Sequence, residues 1–310
     1  MMINQTRVGL IFSLLSGISW GTFGVFCTLC LSVGVTDYSL VALTPAALIV
    51  YFFARVMTKP QVLKGIPKVL IIGIMIQGGF LNNFMNFCYT QAFNANMPVA
   101  VTSTVAFCNV YVIMVVSRFV FDYKITMPKL LSATFALSGV CLVLGLFTSS
   151  DGQITFTGAI WTILIAITLG LNMVCDKYFL NKGVDPDAFM FILCIGSLSI
   201  MWGFLVNPVD MFVNIAEAAS GSSIALVYIL GFCAIPGILC YALMLEGIKR
   251  IEPSLFGICY SMDPVTATVL GFIVFAQAIA LNQIVGIFII IGAVCYLNWT
   301  EGKEEAATKV

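Results

Sequence analysis

The chain is expected to be an all-α membrane protein, with ten transmembrane helices arranged as two inverted five-helix repeats. Three observations predict this. Of its 310 residues, 61% are hydrophobic and only 9% charged, whereas soluble domains carry about a quarter charged residues. The apolar runs recur along the whole sequence at lengths suited to a bilayer. Finally, all 14 basic residues fall in alternate connections between those runs.

Cutting the chain at its polar breaks gives segments 8–30, 37–57, 68–92, 97–120, 128–147, 157–180, 187–206, 223–248, 253–275 and 281–299. The first is too long for a signal core and lacks a small-residue cleavage site, so the amino terminus is expected to be retained. Arg7 precedes segment one. Arg55, Lys59, Lys64 and Lys68 lie between segments two and three, and Arg118, Lys124 and Lys129 around the fourth-to-fifth connection. Lys177 and Lys182 flank the sixth-to-seventh, Lys249 and Arg250 join the eighth to the ninth, and Lys303 and Lys309 are in the tail. The opposite connections hold Asp37, Asn94 to Asn96, Asp151, Asp210 and Glu217 but no cation. Cytoplasmic loops collect Lys and Arg, so both termini are placed in the cytoplasm and the chain in the plasma (bacterial inner) membrane. The 207–222 connection has the makings of a short helix on the outer surface.

Internal spacing supports the division into repeats. Gly9 and Gly21 of the first segment recur as Gly158 and Gly170 in the sixth, and Pro98 and Pro253 open the fourth and ninth. In that register Asn109 falls opposite Pro264, and Asp122 opposite Gln277. The units expected are 1–148 and 149–310, the second including a short cytoplasmic tail. Because five is odd, the second enters the membrane from the opposite face, an arrangement common in secondary transporters.

The ninth segment carries the sharpest chemical signal. It measures about 35 Å as a helix against a hydrocarbon core of about 30 Å, and Asp263 stands at its middle. An ionised carboxylate there costs ~2.5 kcal/mol or more, so such residues face cavities or partners and mark ion or substrate paths. Pro264 removes a backbone donor and predicts a break. The plainer reading makes Asp263 the N-cap of a helix opened by Pro264; the two are compatible.

The third segment holds Gln77, Asn82, Asn83, Asn86 and Tyr89. Asn82, Asn86 and Tyr89 share one helix face by spacing, so they line a cavity or bond to neighbouring helices. Thr102 and Asn109 share a face of the fourth segment, as do Tyr260, Asp263 and Thr266 on the ninth. Trp20 and Asn172 are placed to complete the lining or to pack. Cys108 is the repeat counterpart of Asp263, which leaves the acid without a symmetry mate and favours a single coupling or recognition carboxylate. Glu246 and Asp176 sit beside Lys249–Arg250 and Lys177, and are expected to be interfacial ion-paired residues. Gly73, Gly139, Gly145, Gly286 and Gly292 are read as helix-packing positions.

Eleven cysteines are scattered singly apart from Cys27 and Cys30, and with no histidine in the chain no metal or other cofactor is expected. Neither an HExxH motif nor a phosphate-binding GxxxxGK[ST] loop is present, which argues against an intramembrane enzyme and against ATP drive. No nucleic-acid partner is expected; monomer and homodimer both remain open.

The Trp20–Gly21 pair after a glycine-opened first span, the short loop leading to Pro98, and Asp263–Pro264 together resemble the drug/metabolite transporter superfamily in its EamA-type ten-span branch, along nearly the whole chain. The chain departs from that pattern at Thr44, where many relatives carry arginine, at Asn109 for a late proline, and at Asp122 and Gln277 for a Gly-Glu ending. The resemblance implies a secondary transporter, often an exporter, working by alternating access. With no cation inside the segments to meet a bare anion, the expected substrate is an amino acid or related small neutral or zwitterionic metabolite, with Asp263 free for an amine or a proton. Alternatives left open are an uptake carrier or passive channel for small organic cations or metabolites and, last, an intramembrane enzyme.

Overall fold

The computed structural model describes residues 5–95, 102, 105–144, 155–276 and 280–308. The described residues are helical throughout, with no strand. Seven helical stretches are long and apolar enough to cross a membrane: Gln5–Ser32, Ser39–Thr58, Lys68–Tyr89, Phe156–Asn181, Pro186–Phe204, Ser223–Arg250 and Pro253–Phe275. Val105–Phe121, Met127–Val143 and Leu281–Leu297 are shorter apolar helices. All ten expected segments therefore fall on helix where they are described, three of them on pieces shorter than a full crossing.

In chain order, α1 (Gln5–Trp20) and α2 (Phe23–Ser32) are separated at Gly21–Thr22, and α3 follows over Asp37–Thr58. Helix α4 (Lys68–Ile76) widens into a π turn, Gln77–Asn82, before α5 (Asn83–Asn94). Then come α6 (Asn109–Phe121), α7 (Met127–Val143), α8 (Phe156–Asn181) and α9 (Pro186–Ile200), the last ending in a π turn at Met201–Leu205. The expected outer-surface helix is α10 (Pro208–Gly221). Next, α11 (Ser223–Phe232) passes through a third π turn, Cys233–Leu239, into α12 (Cys240–Arg250). The ninth segment splits into α13 (Pro253–Cys259) and α14 (Met262–Phe275), and α15 (Leu281–Thr308) runs beyond the expected end at 299.

Capping side chains fix several starts. Thr155 accepts from the Gly158 amide at 3.1 Å, and Asp185, ahead of Pro186, accepts from Asp187 at 2.9 Å. Asn207, ahead of Pro208, accepts from Val209 at 3.0 Å. Two helices end on a left-handed residue, α6 at Asp122 (φ 61°) and α14 at Ala276 (φ 52°). The residue that resembles Asp122 in conformation is thus Ala276, one before the expected Gln277, which lies outside the described residues.

Packing follows small residues inside and large apolar ones outside, because lipid tails offer helices no hydrophobic reason to associate. Val50, Val69, Phe119, Phe272 and Phe288 face outward. Where α7 crosses α15, a side chain at Gly139 would come within 2.8 Å of the Gly286 carbonyl, and one at Gly286 within 2.6 Å of the Gly139 carbonyl. Gly292, expected at a packing position, has open space around it, and Gly145 lies outside the described residues. A central cluster joins Leu10 of α1, Val110 and Ile113 of α6, Ile248 of α12 and Phe256 of α13.

Candidate substrate site

The site is built where two broken segments touch. A β-carbon at Gly17 would meet the Tyr260 backbone at 3.0–3.3 Å, and one at Gly21 would lie 2.5 Å from the Asp263 carbonyl oxygen. Only glycine permits this approach. It seats the α1–α2 break against the α13–α14 break, and Trp20 is carried in with it. The Trp20 ring stacks on Phe23 (centroids 4.9 Å apart) and meets Tyr241 edge-on at 6.1 Å.

Asp263 lies in the first turn of α14 and Ser261 occupies the N-cap position, so the expected capping role for Asp263 is not the arrangement found. The break falls at Tyr260–Ser261, just before Pro264, whose missing N–H costs nothing in a first turn. The Asp263 amide donates to the Tyr260 carbonyl at 3.0 Å. Its carboxylate is half-buried, and among the described residues no ion pair reaches it. Thr266, expected beside it, turns its hydroxyl back to the Met262 carbonyl at 3.1 Å. Tyr260 lies within electrostatic reach of Asp263 and of Tyr241, and Tyr89 within reach of Asp263. The Tyr260 hydroxyl is 3.9 Å from the Cys240 sulfur. Tyr89 of the third expected segment and Tyr260 of the ninth therefore stand near one carboxylate, and Tyr241 of the eighth and Trp20 of the first extend the aromatic group behind Tyr260.

The other expected lining residues divide. Asn82, Asn86 and Asn172 are half-buried, as a lining requires. The Asn172 side-chain amide donates to the Thr168 carbonyl within α8 at 3.1 Å, and the Asn172 backbone and side-chain oxygens accept from Gln77 at 3.3 and 3.5 Å. Asn83, expected in the lining, is placed differently from Asn82 and Asn86. It is buried, donates at 3.0 Å to the Gly79 and Ser197 carbonyls, and accepts from the Ser197 hydroxyl at 3.0 Å. One residue past Asn82, it points about 100° away from the Asn82–Asn86 face and bonds to Ser197 of α9. Thr102 is fully buried, its hydroxyl without a partner among the described residues, and Asn109 is buried at the start of α6, its carbonyl against Gly170.

Asp176 corrects the sequence expectation most. It is 6% exposed and pairs with no cation among the described residues. Its partner is Gln77, whose Nε2 donates to Oδ1 at 2.6 Å. Lys177 turns the other way, donating to the Ile248 and Lys249 carbonyls at 2.7 and 3.1 Å, the unsatisfied acceptors at the end of α12. Glu246 does pair as expected, with Arg250. Tyr241, Cys240 and the Asp176–Gln77 contact were not singled out by spacing, since each depends on how separate segments pack.

The basic connections carry the remaining pairs: Lys129–Glu252 at 2.6 Å, Arg55–Asp187 at 3.1 Å and Arg118–Asp122 at 2.5 Å. Between them, burial pushes the Tyr123 hydroxyl above its ordinary range, and nearby Glu252 adds to the rise. None of the eleven cysteines is in a disulfide, and among the described residues no cluster suited to a metal is formed.

Fold and site together define an integral membrane protein of packed, broken helices around a polar centre. Residues 156–299 match the profile of the EamA-like transporter family, which agrees with the resemblance to the drug/metabolite transporter superfamily carried by Trp20–Gly21 and Asp263–Pro264. A crystal structure with a TM-score of 0.74 covers 96% of this chain and 99% of its own at 18% identity; it shows that the fold is shared. Among curated proteins, none matches this chain by sequence.

Proposed function

We propose that the chain is a secondary active transporter that exports amino acids or related small neutral or zwitterionic metabolites in exchange for protons, by alternating access. Its ten spans would form two oppositely inserted five-helix repeats, 1–148 and 149–310, in the plasma membrane with both termini cytoplasmic. The observation that carries this reading is Asp263, a half-buried acid without an ion-pair partner among the described residues, in the first turn of a broken helix and near Tyr89 and Tyr260. Broken helices that present a lone ionisable group at mid-membrane are how many carriers build their sites. The repeat is supported by the π turns at Gln77–Asn82 and Cys233–Leu239, in the third and eighth segments. The left-handed caps at Asp122 and Ala276, ending the fourth and ninth, support it as well. The segregation of all 14 basic residues into alternate connections supports the orientation.

Asp263 would bind the amine of a zwitterion, or a proton, in alternation. The test is counter-flow and pH-gradient-driven flux of labelled amino acids in proteoliposomes. Saturable counter-flow together with gradient drive supports a proton-coupled carrier. Non-saturating flux without counter-flow would replace it with a channel.

A further inference from the structure

We infer that Asp176 and Gln77 form a proton-binding site separate from the Asp263 site. Asp176, in α8, and Gln77, the first residue of the π turn after α4, are 6% and 4% exposed. The Gln77 amide nitrogen stands 2.6 Å from Asp176 Oδ1, and 3.3 and 3.5 Å from the backbone and side-chain oxygens of Asn172. An ion so far removed from water is costly, and one hydrogen bond to a charged group returns only part of that cost. A carboxylate in this position is relieved either by a cation or by a proton.

The neighbours supply no cation. Lys177 is committed to the carbonyls ending α12, and Arg250 of α12 to Glu246. From the other helices against α8, Arg118 of α6 is paired with Asp122, Asp187 of α9 with Arg55, and Glu252 ahead of α13 with Lys129. Lys249 of α12 has an exposed side chain. The buried titratable groups nearest Asp176 are Tyr241 of α12, within electrostatic reach of it, Cys175 beside it, Cys194 of α9 near Tyr241, and Tyr89 of α5, which stands near Asp263. None of them is cationic.

Gln77 is suited to both states of the acid. Its Oε1 is buried with no hydrogen-bond partner among the described residues. As placed, the amide gives its N–H to the ionised carboxylate. Turned half a revolution, it would offer Oε1 to the O–H of the protonated acid, ending the orphan state of that atom at the cost of the contact to Asn172. The π turn aims Gln77 at α8, and such turns recur at functional sites. A role for this proton in coupling rests on the carrier reading above; the site itself does not.

Infrared difference spectroscopy of the full chain in lipid, titrated with pH, reads proton occupancy without any transport. The expected result is a neutral-carboxylic-acid carbonyl band that fades as pH rises, is lost in Asp176→Asn and is kept in Asp263→Asn. In Gln77→Leu, which leaves the acid in place, that band should shift in frequency. The site is overturned if the band survives unchanged in Asp176→Asn, or if Gln77→Leu leaves its frequency unmoved. It is also overturned if sodium at fixed pH abolishes the band, which would make the ligand a metal cation. Should Asp176→Asn fail to fold, the Gln77→Leu spectrum decides alone. Failure here would leave the flux tests of Asp263 untouched, and the converse also holds.

Discussion

The rim of basic connections and the interior of the helix bundle treat acidic residues in opposite ways. At the rim Glu252, Asp187, Asp122 and Glu246 each meet a cation. Inside, Asp263 has tyrosines around it and Asp176 has an amide, and among the described residues neither is in an ion pair. Rim pairs sit where water and headgroups can solvate whatever a pair leaves over, so they serve to hold helix ends in register. An interior acid gains nothing comparable from packing, because an apolar residue of the same size would serve stability better. The contrast assigns structure to the first group and chemistry to the second.

Exchanging the two kinds of acid should break the contrast most visibly at Asp263. Asp263→Asn should lower pH-gradient-driven flux at least about hundredfold, or ~2.7 kcal/mol in rate terms, while the unfolding midpoint stays in place. Gradient-driven flux that survives in this variant would move the coupling role elsewhere. Lys129 is the reciprocal case. Its side chain is 6% exposed and its partner Glu252 25%, so Lys129→Ala leaves a carboxylate that water only partly reaches. Loss of one partner of a fully buried pair costs about 3–5 kcal/mol; with Glu252 partly wet we expect about 2 kcal/mol in reversible unfolding. Glu252→Gln on top of it should recover part of that loss, and an unchanged double variant would show that the charge is not what matters.

Most of the helical layout could be read from the chain because a bilayer leaves little choice: each backbone polar group must be satisfied within its own segment, and apolar runs declare where that happens. The details that place the site were less legible. A π turn changes which residues share a face without leaving a mark in composition, and the one at Gln77–Asn82 offsets Gln77 from the helical register of Asn86 and Tyr89 after it. Asp176 was misread because Lys177 follows it. Adjacent residues on a helix point about 100° apart, so neighbours in sequence are poor candidates for a pair, and here one faces Gln77 while the other faces the end of α12. Asp263 stood out because a charge at mid-span needs a reason wherever it points.

Asn83 sharpens the contrast from the uncharged side. Its amide makes two contacts to Ser197 that join the third and seventh segments and one to Gly79 within the third, which is a rim-like, holding role performed in the interior. Hydrogen bonds between membrane helices average ~0.6 kcal/mol, with a maximum near ~1.7, so Asn83→Ala should lower unfolding stability by about 1 kcal/mol. Substrate affinity should be unchanged. A raised apparent substrate constant without loss of stability would return Asn83 to the lining.

The smallest effect should come from Arg55 and Asp187, which join α3 to α9 across the rim. The contact is 3.1 Å, but the Arg55 side chain is 47% exposed against 14% for Asp187. Exposed pairs are worth about 0–1 kcal/mol because water and salt compete for both partners. Asp187 also has work beyond the pair: as an acid in the first turn of α9 it favours the positive end of that helix. Arg55→Ala should therefore cost no more than about 0.5 kcal/mol and lose even that in high salt, whereas Asp187→Ala should cost more than its partner's removal and retain a remainder when salt is raised. Equal costs that vanish together in salt would mean that the pair, and not the helix start, is what Asp187 serves.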